Sequence, residues 1–297
     1  MESIPRFAFL GSPTFAATIL SDGLVAKGWS PILVVTEQAK PVGRKQVKTP
    51  TAVAKIAQAA HLPVATPTKK HELTATLSQL DLDLAIVAAY GRIIPEDALK
   101  LPKFGIVNIH ASLLPKYRGA SPIQAAILSG DTLTGLSYML IEPTLDTGPV
   151  IKEETLPILA TDTTASLTTK LANRASETLV PTLTAYLENR LQPVAQNDTQ
   201  AIYTKKITKA DGQVKLATIS ANTLDRILRA YTPWPGVFTT EFGKRLLIKQ
   251  GRKISGGYLI TQLQWEGKSA VSGADFARSY PKILTSIPET IKIDANM

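Results

Sequence analysis

Asn108 and His110 are the residues of this chain whose types and spacing best suit catalysis. They end the apolar segment FGIVNIH and stand two positions apart. In a β-strand, residues two apart point to the same face, so the amide and the imidazole would converge on one small group. An amide can stabilise a developing oxyanion, and a histidine can give or take a proton near neutral pH. Such a pair is also typical of a structural hydrogen bond, so alone it establishes no reaction.

A carboxylate later in the chain is the candidate third member of this site. Asp146 lies in LDTGPV, a glycine-containing turn that could return to the same sheet edge, although such turns also hold structural aspartates. If the three side chains meet, they suit attack by an amine on an acyl-level carbon. Asn108 would hold the oxyanion, His110 would donate to it or shuttle a proton, and Asp146 would orient the imidazole and help to take the amine proton.

The elements that would position these residues read as alternating strands and helices. The apolar segments RFAFLG, SPILVVTE, HLPVATP and LDLAIVAAYG are separated by helix-length stretches such as 15–27 and 49–60. Continuous apolar strands indicate burial on both faces, so the pattern predicts an α/β fold with an open parallel sheet covered by helices. Ligands of such sheets bind beyond the carboxyl ends of the strands, where Asn108 and His110 would fall.

The pattern changes in the second half of the chain. The segment LTGLSYMLIEPTLDTGPVI predicts a hairpin or a pair of strands around a turn, and 164–189 predicts a helix. Residues 191–206 are polar and weakly periodic, as in a linker. They precede a helix with Ser220 as its N-cap and the strand-like segments VFTTEF, RLLIKQ and GYLITQLQW. We therefore predict domains at 1–190 and 207–297, joined by that linker, with the second domain small and rich in β-structure.

Composition excludes several classes of protein. The chain has 297 residues, enough for two hydrophobic cores, and no cysteine. Thiolate nucleophiles and cysteine-ligated zinc are therefore excluded, and the scattered His61, His71 and His110 show no metal-ligand spacing, so we expect no metal. No apolar run reaches the roughly 18 residues of a membrane span, and MESIPRFAFLG does not resemble a leader, so we expect a cytoplasmic protein without membrane contact.

The positive charge is concentrated at the back of the chain. From Thr204 to Met297 there are 15 lysines and arginines against 7 acidic residues, a net charge of +8, whereas the rest has 18 against 17. This asymmetry favours contact of the second domain with a polyanion, with ordinary solubilising charge as the alternative.

Gly11 in FLGSPTFA follows the first strand, but the pattern is not GxGxxG. It predicts a tight strand-to-helix turn, with binding of a polar ligand group near the helix start as the alternative, and disfavours dinucleotide binding.

Motifs along nearly the whole chain resemble one known family. NIHASLLPKYRGASPIQAAILSGD, followed by LDTGPV, resembles the signature of the 10-formyltetrahydrofolate-dependent formyltransferases. FLGSPTFA, KPVGRK, VAAYGRIIP, YTPWPG and GKSAVSGADF are similar to further family segments in the same order. The resemblance implies a Rossmann-like, mostly parallel sheet followed by a smaller OB-like β-barrel. It also implies formyl transfer from 10-formyltetrahydrofolate to the α-amino group of methionine on initiator tRNA.

The resemblance also assigns residues. Asn108, His110 and Asp146 match the catalytic trio. The positions that match folate-contacting segments are Ser112, Leu113, Leu114 and Pro115, with Tyr90, Gly91 and Ile93 beside the pterin pocket. Arg44 matches a basic loop residue near the tRNA acceptor end. We expect phosphate contacts from this loop and from other basic positions, namely Arg44, Lys45, Lys48, Lys116, Arg118, Lys205 and Lys206. Trp234 in YTPWPG is expected to pack in a core rather than to stack on a base.

Other functions stay open on sequence grounds. A formyltransferase acting on a sugar nucleotide or on glycinamide ribonucleotide would use the same trio, but it would not need the basic second domain. Hydrolytic loss of formate and a non-catalytic RNA-binding role are further alternatives. The chain departs from the family at Ala125, where arginine is frequent, and at DGQVKL, where Ile-Asp-Trp is usual. Both changes bear on tRNA contacts and domain packing rather than on the chemistry. We expect a monomer.

Overall fold

A computed structural model of the protein describes residues 4–43, 45–285 and 287–294. Their contacts divide them into two compact units. The first comprises the described residues of Met1–Gly119, Thr134–Leu156 and Thr168–Tyr203. The second comprises those of Ala120–Leu133, Pro157–Leu167 and Thr204–Met297. Residues 191–203, which the sequence predicts to be part of a linker, thus belong to the first unit.

Strands and helices alternate through the first half of the chain. In chain order the strands are β1 (Phe7–Gly11), β2 (Leu33–Val35), β3 (Lys40–Val42), β4 (Val47–Thr49), β5 (Val64–Ala65), β6 (Leu84–Ala88), β7 (Ile106–His110), β8 (Arg118–Gly119), β9 (Leu133–Leu140), β10 (Val150–Pro157), β11 (Tyr203–Thr204), β12 (Val237–Thr239), β13 (Leu246–Ile254), β14 (Gly257–Trp265), β15 (Val271–Ser272) and β16 (Ile291–Ile293). The helices are α1 (Thr14–Thr18), α2 (Ala52–Ala59), α3 (Lys70–Ser78), α4 (Glu96–Leu99), α5 (Pro122–Ser129), α6 (Thr164–Leu187), α7 (Ala221–Ala230), α8 (Gly273–Ser279) and α9 (Pro281–Leu284).

The first unit is built on a mostly parallel sheet, as predicted. Among the described residues its strand order is β10-β9-β7-β6-β1-β2-β5. Strands β7, β6, β1, β2 and β5 run parallel to one another, whereas β9 runs antiparallel to β7. Every residue of β1 and β6 is buried, which is why FAFLG and LAIVA are apolar throughout rather than alternating. The predicted strand pair around a turn is confirmed as β9 and β10, which form this edge of the sheet.

The carboxyl ends of three parallel strands meet at one edge of this sheet. Gly11 of β1 pairs in register with Ala88 of β6, and Val87 pairs with Asn108 of β7. A Cβ on Gly11 would come within 2.6 Å of the Ala16 Cβ and 2.9 Å of the Ala88 carbonyl oxygen. A larger residue would therefore push β1 and the following helix apart, so the predicted tight strand-to-helix turn is confirmed.

The second unit contains a mainly antiparallel sheet. Among its described residues, β12, β13, β14 and β15 are neighbours in that order, and β16 pairs with β14 in parallel. These pairings do not close into a barrel. The predicted helix over SANTLDRILRAY is confirmed as α7, and the Thr223 N–H donates to the Ser220 hydroxyl oxygen at 3.1 Å, as expected for its N-cap.

Helices of the first half follow the apolar spacing with local irregularities. The predicted helix over 15–27 is continuous but uneven, because α1 passes into a π-helical turn over Ile19–Leu24 and a 3₁₀ turn over Val25–Lys27. The Thr51 side chain caps α2. Within the described parts of the chain, no helix combines the length and apolar character needed to cross a bilayer.

Candidate active site

The carboxyl end of β7 fixes the orientation of His110. The side chain is 6% exposed, and its Nε2 lies 2.9 Å from the backbone carbonyl oxygen of Tyr117. A carbonyl oxygen only accepts hydrogen bonds, so Nε2 must carry the hydrogen and donate it. In the neutral ring, Nδ1 is therefore the nitrogen with a free lone pair, and it is the only one able to take up a proton.

Asp146 faces that nitrogen. Its Oδ2 lies 3.8 Å from His110 Nδ1 and accepts a hydrogen bond from the backbone N–H of Gly119 at 2.7 Å. A separation of 3.8 Å is too long for a hydrogen bond but short enough for a strong charge interaction at a largely buried position. The carboxylate is thus placed to stabilise an imidazolium that forms when Nδ1 takes a proton.

Asn108 lies on the same strand, one side-chain repeat before His110. It is partly exposed, and no described residue hydrogen-bonds to its amide. The amide donors are therefore available to a substrate oxygen at the sheet edge. The structure thus places the three predicted catalytic residues at one edge, with His110 and Asp146 in direct apposition.

The predicted folate segment Ser112–Pro115 follows β7 and is anchored by hydrogen bonds to neighbouring parts of the first unit. The Ser112 hydroxyl donates to the Lys116 carbonyl oxygen at 2.6 Å, and the Leu114 N–H donates to the Ser137 hydroxyl at 2.9 Å. Ser112 and Leu114 are buried, whereas Leu113 and Pro115 are partly exposed. The segment therefore offers Leu113, Pro115 and its backbone to a ligand, while the other two side chains anchor it.

A cavity of about 220 Å³ lies beside the end of β6. Two predicted residues, Tyr90 and Ile93, line it, and Gly91 between them has a φ of +83°, which favours glycine. Burial raises the pKa of the Tyr90 hydroxyl. Sequence reasoning missed the other members of this lining, Pro67, Thr68, Lys69, Lys70, Leu73 and Arg92. The lysine pair and the arginine directly after Gly91 were the available signals.

Arg92 is fixed at the rim of this cavity. Its Nη1 donates to the Thr68 carbonyl oxygen at 2.6 Å, and its Nε lies 3.7 Å from a carboxylate oxygen of Glu37. The Glu37 carboxylate also accepts from Lys40 Nζ at 2.8 Å. With Lys69 and Lys70 also in the wall, the lining carries excess positive charge, which suits an anionic group.

The predicted tRNA-binding residues fall into three groups. Arg44 lies outside the described residues. Five side chains are at least partly exposed, as a phosphate contact requires: Lys45, Lys48, Lys116, Lys205 and Lys206. Arg118 differs, because its side chain is 1% exposed, and a phosphate contact would require its rearrangement. Trp234 is 48% exposed, so the prediction that it packs in a core is wrong.

Arg118 is buried because it has partners within the first unit. Its Nη2 donates to Asp198 Oδ1 at 2.6 Å, and its Nη1 donates to the Tyr203 hydroxyl at 2.9 Å. Its Nε and Nη2 donate to Gln196 Oε1 at 3.0 and 2.8 Å. These partners lie 78 to 85 residues further along the chain, so no local pattern around KYRGA reveals them. The structure thus argues against Arg118 as a phosphate contact and for a role inside the fold.

Potential metal ligands are dispersed. The parts of the chain that the structure describes contain no cluster of three or more histidine, aspartate or glutamate side chains able to hold an ion. The sequence-based expectation that no metal takes part stays a prediction.

Comparison with known proteins identifies the family. The model of the formyl transferase family matches residues 5–183, more than half of the chain, and the model of the formyl transferase C-terminal domain matches residues 206–257. The chain belongs to the formyl transferase family. The membership that the motifs implied is thereby confirmed, and the site at the end of β7 lies inside the first matched region.

Curated relatives extend the match over both regions. The methionyl-tRNA formyltransferase of Myxococcus xanthus (strain DK1622) is 38% identical over 302 residues, covering 94% of this chain and 96% of that protein. The protein of the same name from Dehalococcoides mccartyi (strain ATCC BAA-2266 / KCTC 15142 / 195) is 39% identical, covering 92% and 95%. These matches leave only short parts of either protein unaccounted for.

A solved structure shares the fold at low identity. HypX from Aquifex aeolicus in complex with tetrahydrofolic acid is 17% identical, with a TM-score of 0.62. The alignment covers 98% of this formyltransferase but 49% of that chain, so this protein spans about half the length of HypX. The likeness establishes a common formyltransferase fold.

Proposed function

We propose that this formyltransferase transfers the formyl group of 10-formyltetrahydrofolate to the α-amino group of methionyl initiator tRNA. The observation that carries the proposal is the match, across both family regions, to relatives named methionyl-tRNA formyltransferase. The product, formylmethionyl-tRNA, serves translation initiation. The proximity of Asp146 to His110 at the end of β7 supports the proposal.

The proposed reaction uses the three residues in separate roles. The neutral methionyl amine attacks the formyl carbon on N10, and the Asn108 amide donates to the resulting oxyanion, an interaction worth roughly 3 kcal/mol. His110 takes the amine proton on Nδ1, because Nε2 is committed to the Tyr117 carbonyl. Asp146 stabilises the imidazolium, which then gives the proton to N10 as the bond from the formyl carbon to N10 breaks. No covalent enzyme intermediate is involved.

The proposed folate site has two parts. The backbone of Ser112–Pro115 and the side chains of Leu113 and Pro115 support the folate near the reacting formyl group. The cavity beside Tyr90 is smaller than the roughly 300–1,000 Å³ of a complete ligand pocket, so it suits only one end of the molecule. Its lysines and Arg92 favour the carboxylate-bearing end, rather than the pterin that the resemblance implies beside Tyr90, Gly91 and Ile93. The tetrahydrofolic acid bound in the structural neighbour HypX supports a folate co-substrate.

The distribution of charge along the chain suggests separate roles for its two domains. Residues 1–190 carry the catalysis, and 207–297 form an OB-like domain that binds tRNA through the net charge of +8 beyond Thr204. Arg44 contacts the acceptor end in this scheme. The protein works in the cytoplasm, where initiator tRNA is charged and used, and in this proposal it acts as a monomer.

The substrate test is a single-turnover assay with purified protein, 10-formyltetrahydrofolate and methionyl initiator tRNA. We expect formylmethionyl-tRNA from the charged tRNA and no product from free methionine, uncharged tRNA or a nucleotide-linked amino sugar. Formylation of the amino sugar alone would replace the proposal with a sugar-nucleotide enzyme. Binding of tRNA without product would favour a non-catalytic RNA-binding protein.

A further inference from the structure

Gln196 makes side-chain hydrogen bonds to the turn that carries Asp146. Its Nε2 donates to the Asp146 carbonyl oxygen at 2.9 Å and to the Gly148 carbonyl oxygen at 2.7 Å. One amide group thus holds both sides of the turn. The backbone after this turn is also joined to the segment that carries Gln196, because Val150 and Val194 exchange two N–H···O bonds of 2.8 Å.

Arg118 fixes which way the Gln196 amide points. Two of its guanidinium nitrogens donate to Gln196 Oε1, so the oxygen must face the arginine and the NH₂ group must face the turn. A flipped amide would set NH₂ against a guanidinium and oxygen against two carbonyls. Since Arg118 is itself buried and held by Asp198 and Tyr203, the orientation of Gln196 is strongly determined.

The Asp146 turn needs such support. Asp146 has a φ of +53°, in the left-handed region that costs energy for a residue with a side chain. Its carboxylate reaches His110 only when this backbone conformation is kept, and the Oδ2 to Nδ1 separation is already 3.8 Å. A displacement of the order of 1 Å in such a site lowers rates by roughly 100-fold. Loss of the two bonds from Gln196 would release the turn.

We propose that Gln196 is a positioning residue that acts through Asp146, with Arg118 aligning its amide. This inference rests on the proposed formyl transfer, because it assigns Gln196 to the rate of that reaction. Gln196 itself contacts neither the reacting carbon nor His110. Its effect is to keep the Asp146 carboxylate against Nδ1 when the imidazole takes up the amine proton.

The first test replaces Gln196 by methionine, which is similar in length but makes no comparable hydrogen bonds. Gln192→Met is the matched control, since Gln192 is an exposed glutamine of the same segment. In Gln196→Met we expect kcat to fall roughly 10- to 100-fold, with KM for methionyl-tRNA and for 10-formyltetrahydrofolate within about twofold of wild type. In Gln192→Met we expect wild-type kinetics. Equal kcat in the two variants would overturn the inference.

The second test separates positioning from general stability. Gln196→Met is introduced into Asp146→Asn protein, and single-turnover rates are compared in a double-mutant cycle, with thermal unfolding of every variant recorded. If Gln196 acts through Asp146, its replacement slows wild type strongly and slows Asp146→Asn less than about threefold. The same fold decrease in both backgrounds would overturn the inference. Absence of formylation by wild-type protein would instead contradict the proposed function.

Discussion

The two nitrogens of His110 have different surroundings, and this difference determines the proposed proton path. Nε2 donates to the Tyr117 carbonyl, whereas Nδ1 faces Asp146. A histidine with both nitrogens toward solvent would have no such preference. The ring is also buried at the end of β7, so its position does not depend on substrate. In the proposed mechanism the ring therefore needs no rearrangement before it takes up a proton.

Asn108→Ala tests oxyanion stabilisation at the residue scale. We expect kcat to fall by roughly 100- to 1,000-fold, because the amide donor acts only when charge develops on the formyl oxygen. The KM for each substrate and the affinity for tRNA should stay close to wild type, measured by steady-state kinetics and filter binding. A parallel rise in both KM values with unchanged kcat would instead indicate a ground-state contact.

Residue types and spacing were enough to select Asn108, His110 and Asp146 as candidates. The separation of two between Asn108 and His110 places both on one strand face, and the structure shows that arrangement. Burial was harder to predict. Arg118 lies in a basic, turn-rich segment typical of a surface, yet it is buried by partners remote in sequence. Trp234 shows the reverse, since an apolar ring is exposed in a proline-rich turn.

The turn between β9 and β10 is the element that brings Asp146 to His110. Gly148 permits its return to the sheet, because a Cβ there would lie 1.9 Å from the Leu140 carbonyl oxygen. The Gly148 carbonyl is also one of the two acceptors for Gln196. The path of this turn therefore depends on a position with no side chain.

Gly148→Ala is expected to displace this turn and with it the Asp146 carboxylate. We predict a decrease in kcat of at least roughly tenfold, since small misplacements at reacting groups are costly, together with a lower melting temperature. Leu145→Ala is the control, because that side chain in the same turn is 62% exposed and its loss leaves the backbone path open. Wild-type kcat in Gly148→Ala would show that Asp146 tolerates displacement.

Helix α3, which supplies Lys70 and Leu73 to the cavity wall, begins at a carboxylate cap. The backbone N–H groups of Thr68 and Lys69 donate to Glu72 Oε2 at 2.7 and 3.1 Å. These bonds lower the pKa of Glu72 from its ordinary value of 4.5 to about 2. A lowered pKa means that the stabilisation is complete above the unfolded-state pKa and is lost as pH falls from about 4.5 toward 2.

Glu72→Gln is therefore expected to lower stability by an amount that depends on pH. The difference in urea midpoint between wild type and variant should be constant from about pH 6 to 8 and should shrink below about pH 4.5, where the unfolded chain takes up the proton. Glu289→Gln, at an exposed position, is the control for removal of one negative charge. A difference that stays constant down to about pH 3 would contradict the capping role.

Positive charge is unevenly distributed along the chain, because residues 1–203 are nearly neutral and residues 204–297 carry a net charge of +8. This asymmetry is the basis for proposing that the second part of the chain binds tRNA. Each phosphate neutralised by a lysine releases a condensed counterion, so affinity falls linearly with salt on logarithmic axes. The exposed Lys205 and Lys206 stand at the start of the basic segment. Electrostatic binding should thus be measurable as a salt slope.

Lys205→Glu combined with Lys206→Glu is expected to weaken tRNA binding and to reduce the magnitude of the salt slope by about 1 for each phosphate that is no longer neutralised. Lys55→Glu combined with Lys100→Glu gives the same change in net charge at exposed positions of the first unit. Affinities measured between about 50 and 200 mM salt should separate local binding from net charge. Equal salt slopes in the two double variants would contradict specific phosphate contacts by Lys205 and Lys206.

At this scale the sequence predicted the sheet better than the connections. Buried runs such as FAFLG and LAIVA require a parallel sheet covered on both faces, so its core was predictable. The position of 191–203 was not, because this polar segment is held by side chains such as Arg118 and by one β-bridge from Val150 to Val194. Hydrophobic periodicity carries no information about such contacts.

The most direct test of the proposed proton path compares wild type and His110→Ala in single turnovers, with enzyme in excess over methionyl initiator tRNA and 10-formyltetrahydrofolate saturating. We expect product formation to slow by roughly 100- to 10,000-fold, the usual contribution of a positioned acid or base, while tRNA affinity stays at the wild-type value. Formylmethionyl-tRNA formed by His110→Ala at the wild-type rate would contradict the proton path through Nδ1 and the catalytic assignment at the end of β7.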